Sequence, residues 1–333
     1  MTRLIVARLI QLPLILAAVF AITFTLAWVV PGNPLDNPDG RRPDPEVMEA
    51  MKRQYNLDSP WSFLSSYVPG LFRGDLGPSL IYRDQTVADI IASGLPVSAT
   101  LGVAALAFAF LFGTFAGVIG SMFPRTPLDL SSSIVSLIGV SLPSFVTGSV
   151  LLVVFGALLS WFPTGGWPGW PDLRFWAPGW GSYASQGRLA EDVGDFFGSL
   201  VLPAITLGLI PAAYVARLIR LGLADVMGSD FVRTAMAKGR SRRGALFGHA
   251  LKVAMLPVLS FLGPAAAAAM TGSFVVEKIF NLPGLGEYFV AAARDKDQFL
   301  ILGVVLVYSA LLVVFNLVVD VAYAFVDPRI RVG

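Results

Sequence analysis

The side chains that enzymes use for nucleophilic, acid–base or metal chemistry are scarce in this sequence. It has one histidine, His249, which argues against a histidine-based metal site or triad, and no cysteine, which excludes a cysteine nucleophile. A phosphate-binding loop needs Gly-Lys-Ser/Thr, and none of the five lysines follows a glycine. The motifs G-x-S-x-G and H-E-x-x-H are also absent. The chain is therefore predicted to have no catalytic residue, no metal site and no ATPase activity of its own.

The composition predicts a membrane protein. Apolar residues make up 55% of the sequence and charged residues 14%, whereas a soluble domain has about 25% charged residues. Six stretches are long and apolar enough to cross a bilayer core of roughly 30 Å. They are residues 9–30, 95–123, 130–155, 198–216, 253–276 and 299–324, and Pro13, Pro143, Pro203, Pro211 and Pro264 are predicted to kink them.

Proton-coupled carriers move charge through paired carboxylates or histidines inside the bilayer. Asp320 is the one charged residue within the six predicted spans, and it lies near the cytoplasmic end of the last span. A helix-end contact explains a single acidic residue at that depth better than a proton relay does. The sequence therefore offers no ion-coupling machinery.

Basic residues predict the orientation of the spans. With the N-terminus inside, the cytoplasmic segments 1–8, 124–129, 217–252 and 325–333 are richer in Lys and Arg per residue than the outer segments 31–94, 156–197 and 277–298. Both termini are therefore predicted to be cytoplasmic, with the first span as an uncleaved anchor. The opposite orientation would place the most basic segment, 217–252, outside.

The two longer outer segments leave alternatives open. Segment 31–94 reads as a largely helical insertion, with Asp44 and Pro45 starting a helix, and it is either a solvated cap or a docking surface. Segment 156–197 holds five of the seven tryptophans (Trp161, Trp167, Trp170, Trp176 and Trp180). They form either a belt at the membrane–water interface or a platform on which a sugar or peptide stacks. The affinity of tryptophan for that interface favours the belt.

The cytoplasmic segment 217–252 predicts two short helices joined at a glycine. A helix from Asp230 to Lys238 would place Phe231, Ala235 and Met236 on or near one face, and Gly239 would end it. A second helix would follow Ser241 as N-cap, with an apolar face formed by Leu246, Phe247, Ala250, Leu251 and Ala254. A simple connector needs no second amphipathic helix, so the pattern favours a docking element.

This segment, DFVRTAMAKGRSRRGALFGHALKVAMLPVL, resembles the EAA loop of the integral-membrane permease subunits of ABC importers, in the oligopeptide/dipeptide/nickel branch. In the general EAA pattern a Glu-Ala-Ala triplet precedes a glycine, and here Arg233, Thr234 and Ala235 precede Gly239 without the glutamate. Further matches in the same order are PGNP, YNLDSPW, GDLGPS, LPSF, WFPTGGW, LPAITLGL, VVEKIFNLPGLGEYF and the terminal DPRIR. These matches are distributed along nearly the whole length of the chain, from residue 31 to residue 331.

The resemblance implies an all-α integral membrane fold, with six transmembrane helices in a type I ABC importer permease bundle and a helical extracytoplasmic insertion between spans 1 and 2. It divides the chain into residues 1–94, with the first span and the insertion, a five-helix core at 95–326 containing the coupling loop 217–252, and a tail at 327–333. It implies a multi-pass protein of a bacterial or archaeal inner membrane.

The resemblance also implies partners and sites. The partners are a second homologous permease, two cytoplasmic ATPases that bind ATP and Mg, and an extracytoplasmic binding protein that delivers peptides; no nucleic acid is implied. The coupling residues would be Asp230, Phe231, Arg233, Thr234, Ala235, Lys238, Gly239 and Arg240, and the outer mouth would include Glu277, Pro283, Gly284 and Gly286. A nickel chelate, an opine or an oligosaccharide remains an alternative solute, and an ATPase-independent carrier or a non-transporting scaffold an alternative class.

Overall fold

The structure is a computed structural model that describes residues 2–29, 45–82, 84–130, 134, 139, 141–171, 186–270 and 273–326. Every regular element within these residues is a helix, as predicted, apart from one isolated bridge between Pro78 and Thr86. The PGNP motif, Trp176, Trp180, the tail 327–333 and the side chain of Asp320 lie outside the described part.

The helices with defined bounds are numbered here in chain order. They are α1 (Thr2–Val29), α2 (Pro45–Gln54), α3 (Pro60–Leu71), α4 (Val87–Met122), α5 (Ser144–Leu158), α6 (Arg188–Val226), α7 (Asp230–Ala237), α8 (Arg242–Ala254), α9 (Leu256–Met270), α10 (Phe274–Ile279), α11 (Leu285–Asp295) and α12 (Gln298–Val326). Wider π-helical turns occur in α5 at Leu152–Leu158 and in α8 at Leu246–Ala250.

Four helices, α1, α4, α6 and α12, are long and apolar enough to cross a membrane. They confirm the apolar helices predicted at 9–30, 95–123, 198–216 and 299–324. Helices α8 and α9 form a further candidate that is bent by 48° and corresponds to the stretch 253–276. The stretch 130–155 lies partly outside the described residues, so the number of six spans and their orientation remain predictions.

Two details of the predicted spans differ from the structure. Helices α4 and α6 extend well beyond the apolar stretches that predicted them, because backbone hydrogen bonding continues into water whereas hydropathy marks only the lipid-facing part. Pro143 was predicted to kink a span, but it is the residue before α5. A proline fits there because its fixed φ angle and missing N–H cost little at a helix start.

One compact unit comprises residues 1–98 and 284–317. Aromatic rings dominate its core, where the Phe63 ring centroid lies 5.0 Å from that of Phe299 and 5.1 Å from that of Tyr67. Phe24 and Trp28 of α1 contact the same ring at 5.9 Å and 5.8 Å. Thus α3 of the predicted insertion packs against both the first and the last long helix.

A buried carboxylate joins the loop before α4 to the start of α12. Asp297 Oδ2 accepts hydrogen bonds from Ser79 Oγ at 2.6 Å, from the Leu80 N–H at 2.7 Å and from the Ile81 N–H at 3.3 Å. Its Oδ1 accepts from the Leu300 N–H at 3.0 Å and caps α12. Burial raises the pKa of the Asp297 carboxyl, although these four hydrogen bonds oppose that rise.

The second compact unit comprises residues 99–283 and 318–331. Helices α4 and α6 approach so closely that two glycines of α4 have no room for a side chain. A Cβ atom at Gly113 would lie 2.6 Å from the Ala212 carbonyl oxygen, and one at Gly117 would lie 2.6 Å from that of Ala216. Small residues four positions apart let helix backbones meet where lipid provides no hydrophobic driving force.

We expect Gly117→Val to lower the melting temperature of the detergent-solubilised chain. The added side chain would force α4 away from Ala216 and Ile219, and overpacking of this kind typically costs about 1–3 kcal/mol. Gly194→Val in α6 is the matched control, because nothing lies within 4 Å of a Cβ atom there. Thermal unfolding followed by fluorescence measures both variants, and equal melting temperatures would contradict the close packing.

Candidate functional site

The predicted break at Gly239 is present. Helix α7 ends at Ala237, and Gly239 follows with a φ angle of +92°, in the left-handed region that favours glycine. The Gly239 N–H donates to the Met236 carbonyl oxygen at 3.0 Å and the Arg240 N–H to that of Ala235 at 3.2 Å. These bonds close the end of α7, so the chain leaves the helix in a defined direction.

The predicted N-cap of the next helix is also confirmed. Ser241 Oγ accepts a hydrogen bond from the Gly244 N–H at 3.1 Å, and α8 begins at Arg242. Only three residues, Lys238 to Arg240, separate the last residue of α7 from this cap. Residues 230–254 therefore form one defined unit, which we call the two-helix element.

The two helices pack together around Val232. This side chain is fully buried and lies in one apolar cluster with Ala245, Leu246 and Ala250 of α8. Leu223 near the end of α6 belongs to the same cluster. The two-helix element is therefore held against a long apolar helix by a continuous core.

Two residues that were predicted on the apolar faces of these helices are exposed. The exposed fraction of Phe231 is 48% and that of Phe247 is 53%. Successive residues of a helix differ by about 100° in direction, so burial of Val232 turns Phe231 outward and burial of Leu246 does the same for Phe247. The element thus presents two phenylalanine side chains that it does not use in its own core.

The other predicted coupling residues lie on or directly after α7, which also carries Phe231. Asp230, Arg233, Thr234, Lys238, Gly239 and Arg240 are exposed and Ala235 is half-buried. The Thr234 hydroxyl donates to the Asp230 carbonyl oxygen at 2.8 Å. Arg233, Lys238 and Arg240 form no ion pair with any residue that the structure describes, so their charges remain available to a partner.

The residues predicted at the outer mouth do not share one environment. Glu277 is fully buried in α10 and Pro283 is exposed, and both belong to the second unit. Gly284 and Gly286 are buried and belong to the first unit. Their role at an outer mouth remains a prediction.

The WFPTGGW motif contacts the segment after α10, which the sequence did not reveal. The Gly166 N–H donates to the Phe280 carbonyl oxygen at 2.8 Å. A Cβ atom at Gly165 would lie 2.5 Å from that same oxygen. The glycine pair of this motif therefore allows a close backbone contact between two segments 114 residues apart, from Gly166 to Phe280.

A second contact that the sequence did not reveal joins the segment after α4, in which residues 127–130 are helical, to α6. Arg220 Nε lies 2.9 Å from Asp129 Oδ1, and its Nη2 donates to Oδ2 at 3.1 Å. The Arg125 N–H also donates to Oδ2, at 3.0 Å. A two-point contact between a guanidinium and a carboxylate fixes orientation as well as distance, so this segment is anchored to α6 six residues before that helix ends.

The described residues contain no cluster of three or more His, Asp or Glu side chains that could hold a metal ion. What the two-helix element offers is a surface of exposed phenylalanines and cations on a packed support. This arrangement suits a protein contact better than it suits catalysis.

Comparison with known proteins matches two family descriptions to the chain. Residues 109–332 match the binding-protein-dependent transport system inner membrane component, and residues 1–102 match the N-terminal region of such membrane components.

Several relatives are similar along nearly the whole chain. The oligopeptide transport system permease protein OppB of Salmonella typhimurium is 38% identical over 332 residues, which are 99% of this chain and 100% of that protein. OppB of Haemophilus influenzae is 36% identical with the same coverage. The dipeptide transport system permease protein DppB of Lactococcus lactis is 35% identical, also with that coverage.

Proposed function

This chain belongs to the family of binding-protein-dependent transport system inner membrane components, and we propose that it is the membrane subunit of an ATP-driven peptide importer. The relatives named for oligopeptide and dipeptide transport match it from end to end. Peptides are therefore favoured over a nickel chelate, an opine or an oligosaccharide. In this proposal an extracytoplasmic binding protein delivers the peptide, and a second homologous permease forms the other half of the pathway.

The single observation that carries the coupling role is the exposed pair Phe231 and Phe247 on the packed two-helix element. Exposed aromatic side chains that lie outside the protein's own core are typical anchors of protein interfaces. In this proposal they contact a cytoplasmic ATPase subunit, which binds ATP and Mg. Arg233, Lys238 and Arg240 then supply charge complementarity at the rim of the contact.

The packing of the element determines whether it can transmit a movement. A partner shifts an equilibrium between two states only if its contacts differ in free energy between those states. Because Val232 and Leu246 join the element to the end of α6, a displacement of the docked surface also displaces that helix. The closure of an ATPase dimer would in this way change the side of the membrane to which the peptide pathway of the permease bundle is open.

Reconstitution in liposomes tests this function. We expect the purified chain alone to show no ATP hydrolysis and no peptide uptake, because its sequence lacks a phosphate-binding loop. Both activities should appear with the second permease and the ATPase subunits, and rise when peptide-loaded binding protein is added. Peptide uptake by the chain without ATPases would instead identify a secondary carrier.

Cysteine labelling tests the predicted orientation. The sequence has no cysteine, so each variant carries one thiol. We expect Ser65→Cys, at an exposed position of α3, to react with a membrane-impermeant maleimide added to intact cells, because α3 belongs to the predicted outer insertion. His249→Cys, exposed in α8, should react only after the cells are opened. Labelling of position 249 in intact cells would contradict cytoplasmic placement of the two-helix element.

A further inference from the structure

A cleft of about 200 Å³ lies in the second unit, where α4 and α6 end and α8 begins. Its lining comes from the end of α4, from the residue after α6 and from the first turns of α8, and includes Met122, Phe123, Met227, Arg242, Arg243 and Leu246. Helices α4 and α6 are both long enough and apolar enough to cross a membrane. The cleft therefore adjoins the end of the apolar stretch of α4, and on the α6 side it lies beyond the apolar stretch 198–216, in the predicted cytoplasmic segment.

The lining combines two kinds of surface. Met122, Met227 and Leu246 are apolar, whereas Arg242 and Arg243 bring two guanidinium groups to the same cleft. Both arginines are exposed, and neither forms a hydrogen bond or an ion pair through its side chain with the residues that the structure describes. Each guanidinium therefore keeps all five of its N–H donors for a ligand.

Nearby acidic residues do not neutralise this pair of charges. Asp129, in the helical residues 127–130 that follow α4, is already bound to Arg220. Asp225 and Asp230, at the end of α6 and the start of α7, are exposed and form no ion pair with either arginine in the described structure. The cleft thus has a surplus of positive charge beside an apolar wall.

We propose that this cleft binds an anionic phospholipid of the cytoplasmic leaflet, with the phosphate at Arg242 and Arg243 and an acyl chain along Met122, Met227 and Leu246. Guanidinium groups bind phosphate oxygens with charge-assisted hydrogen bonds, and basic pockets between the cytoplasmic ends of membrane helices suit lipid headgroups. A free phosphate would use the arginines but gain nothing from the apolar wall. The proposal rests on the topology of the proposed function.

The position of the cleft gives such a lipid a defined effect. Arg242 and Arg243 form the first turn of α8, and Leu246 belongs to the core that supports Val232. A lipid held at this point would link the membrane surface to the two-helix element. Binding should therefore stabilise the element without contacting Phe231 or Phe247.

The test measures lipid affinity of the purified full chain in detergent by native mass spectrometry, without any ATPase present. Phosphatidylglycerol and the zwitterionic phosphatidylcholine are titrated separately. We expect the chain to prefer phosphatidylglycerol, and the double variant Arg242→Gln/Arg243→Gln to bind it roughly 30-fold more weakly, which corresponds to about 2 kcal/mol for two cations at an anionic headgroup. Phosphatidylcholine binding should not change.

The matched control is Arg217→Gln/Lys252→Gln, which removes the same charge from exposed positions that do not line the cleft. An equal loss of phosphatidylglycerol affinity in the control would overturn the proposal. It would show that the lipid responds to the overall basic charge of the chain and not to the two arginines of the cleft. Competition by millimolar inorganic phosphate would overturn the lipid assignment in favour of a simple anion site. Unchanged phosphatidylglycerol affinity in the double variant, together with lost ATPase co-purification, would reassign the arginines to the protein interface.

These outcomes are separate from those that test the importer function. Lipid binding is measured on the isolated chain, so it does not depend on uptake or ATP hydrolysis. A chain that transports peptides but shows no lipid preference contradicts only the lipid site.

Discussion

We expect Gly239→Val to abolish peptide uptake and binding-protein-stimulated ATP hydrolysis while the chain remains at near-normal abundance in the membrane. Nothing lies within 4 Å of a Cβ atom at this position, so the effect does not come from a steric clash with a neighbour. It comes from the backbone, because a φ angle of +92° costs a β-branched residue on the order of 1–2 kcal/mol. The chain can relieve this strain by redirecting α8, which would change the position of Phe247 relative to Phe231.

Gly239→Asn is the matched control for this prediction, because asparagine tolerates positive φ angles far better than valine does. It should retain a substantial part of both activities. Uptake of a labelled peptide, ATP hydrolysis and immunodetection of the chain in membranes are measured for both variants. Normal uptake by Gly239→Val would show that the geometry at the end of α7 is not used in coupling.

We expect the double variant Phe231→Asp/Phe247→Asp to lose at least roughly tenfold in ATPase co-purification, with uptake lost to the same extent. Replacement of a central aromatic anchor in an interface typically costs about 2 kcal/mol or more, and two aspartates would also have to be desolvated. Both phenylalanines are exposed in the isolated chain, so the substitutions leave no cavity in its core. The fold should therefore persist, which thermal unfolding can verify.

Phe72→Asp is the control for this variant. Its side chain is the most exposed large apolar residue of the described structure, at 88%, and it follows α3 in the predicted outer insertion. ATPase co-purification should be unchanged in this control. Retention of ATPase by the phenylalanine double variant would remove the observation on which the coupling proposal depends.

The elements that could be predicted from the sequence are those that local chemistry determines. Four long apolar helices were predictable because a helix in lipid must be apolar around its circumference. The end of α7 and the start of α8 were predictable because Gly239 and Ser241 act within a single turn. In each case the determining residues lie next to the feature that they specify.

The buried face of α7 could not be predicted, and the reason is its length. Eight residues make little more than two turns, and a pattern this short is compatible with burial of either Phe231 or Val232. The Arg220–Asp129 and Ser79–Asp297 contacts could not be predicted either, because the two residues of each pair are 91 and 218 positions apart in the sequence. Polar residues at such separations give no sequence signal in one chain.

The anchor at Asp297 has a consequence for the order of events during biosynthesis. Ser79 and the loop that contains it leave the ribosome long before Asp297, Phe299 and Leu300 are translated, so the aromatic core around Phe63 cannot close until nearly the whole polypeptide has been made. Contacts this distant in sequence slow folding because the intervening chain must first be ordered. Until then Phe63 and Tyr67 lack the ring contact that Phe299 provides, and a protein synthesised only to residue 296 should be a substrate for quality-control proteases.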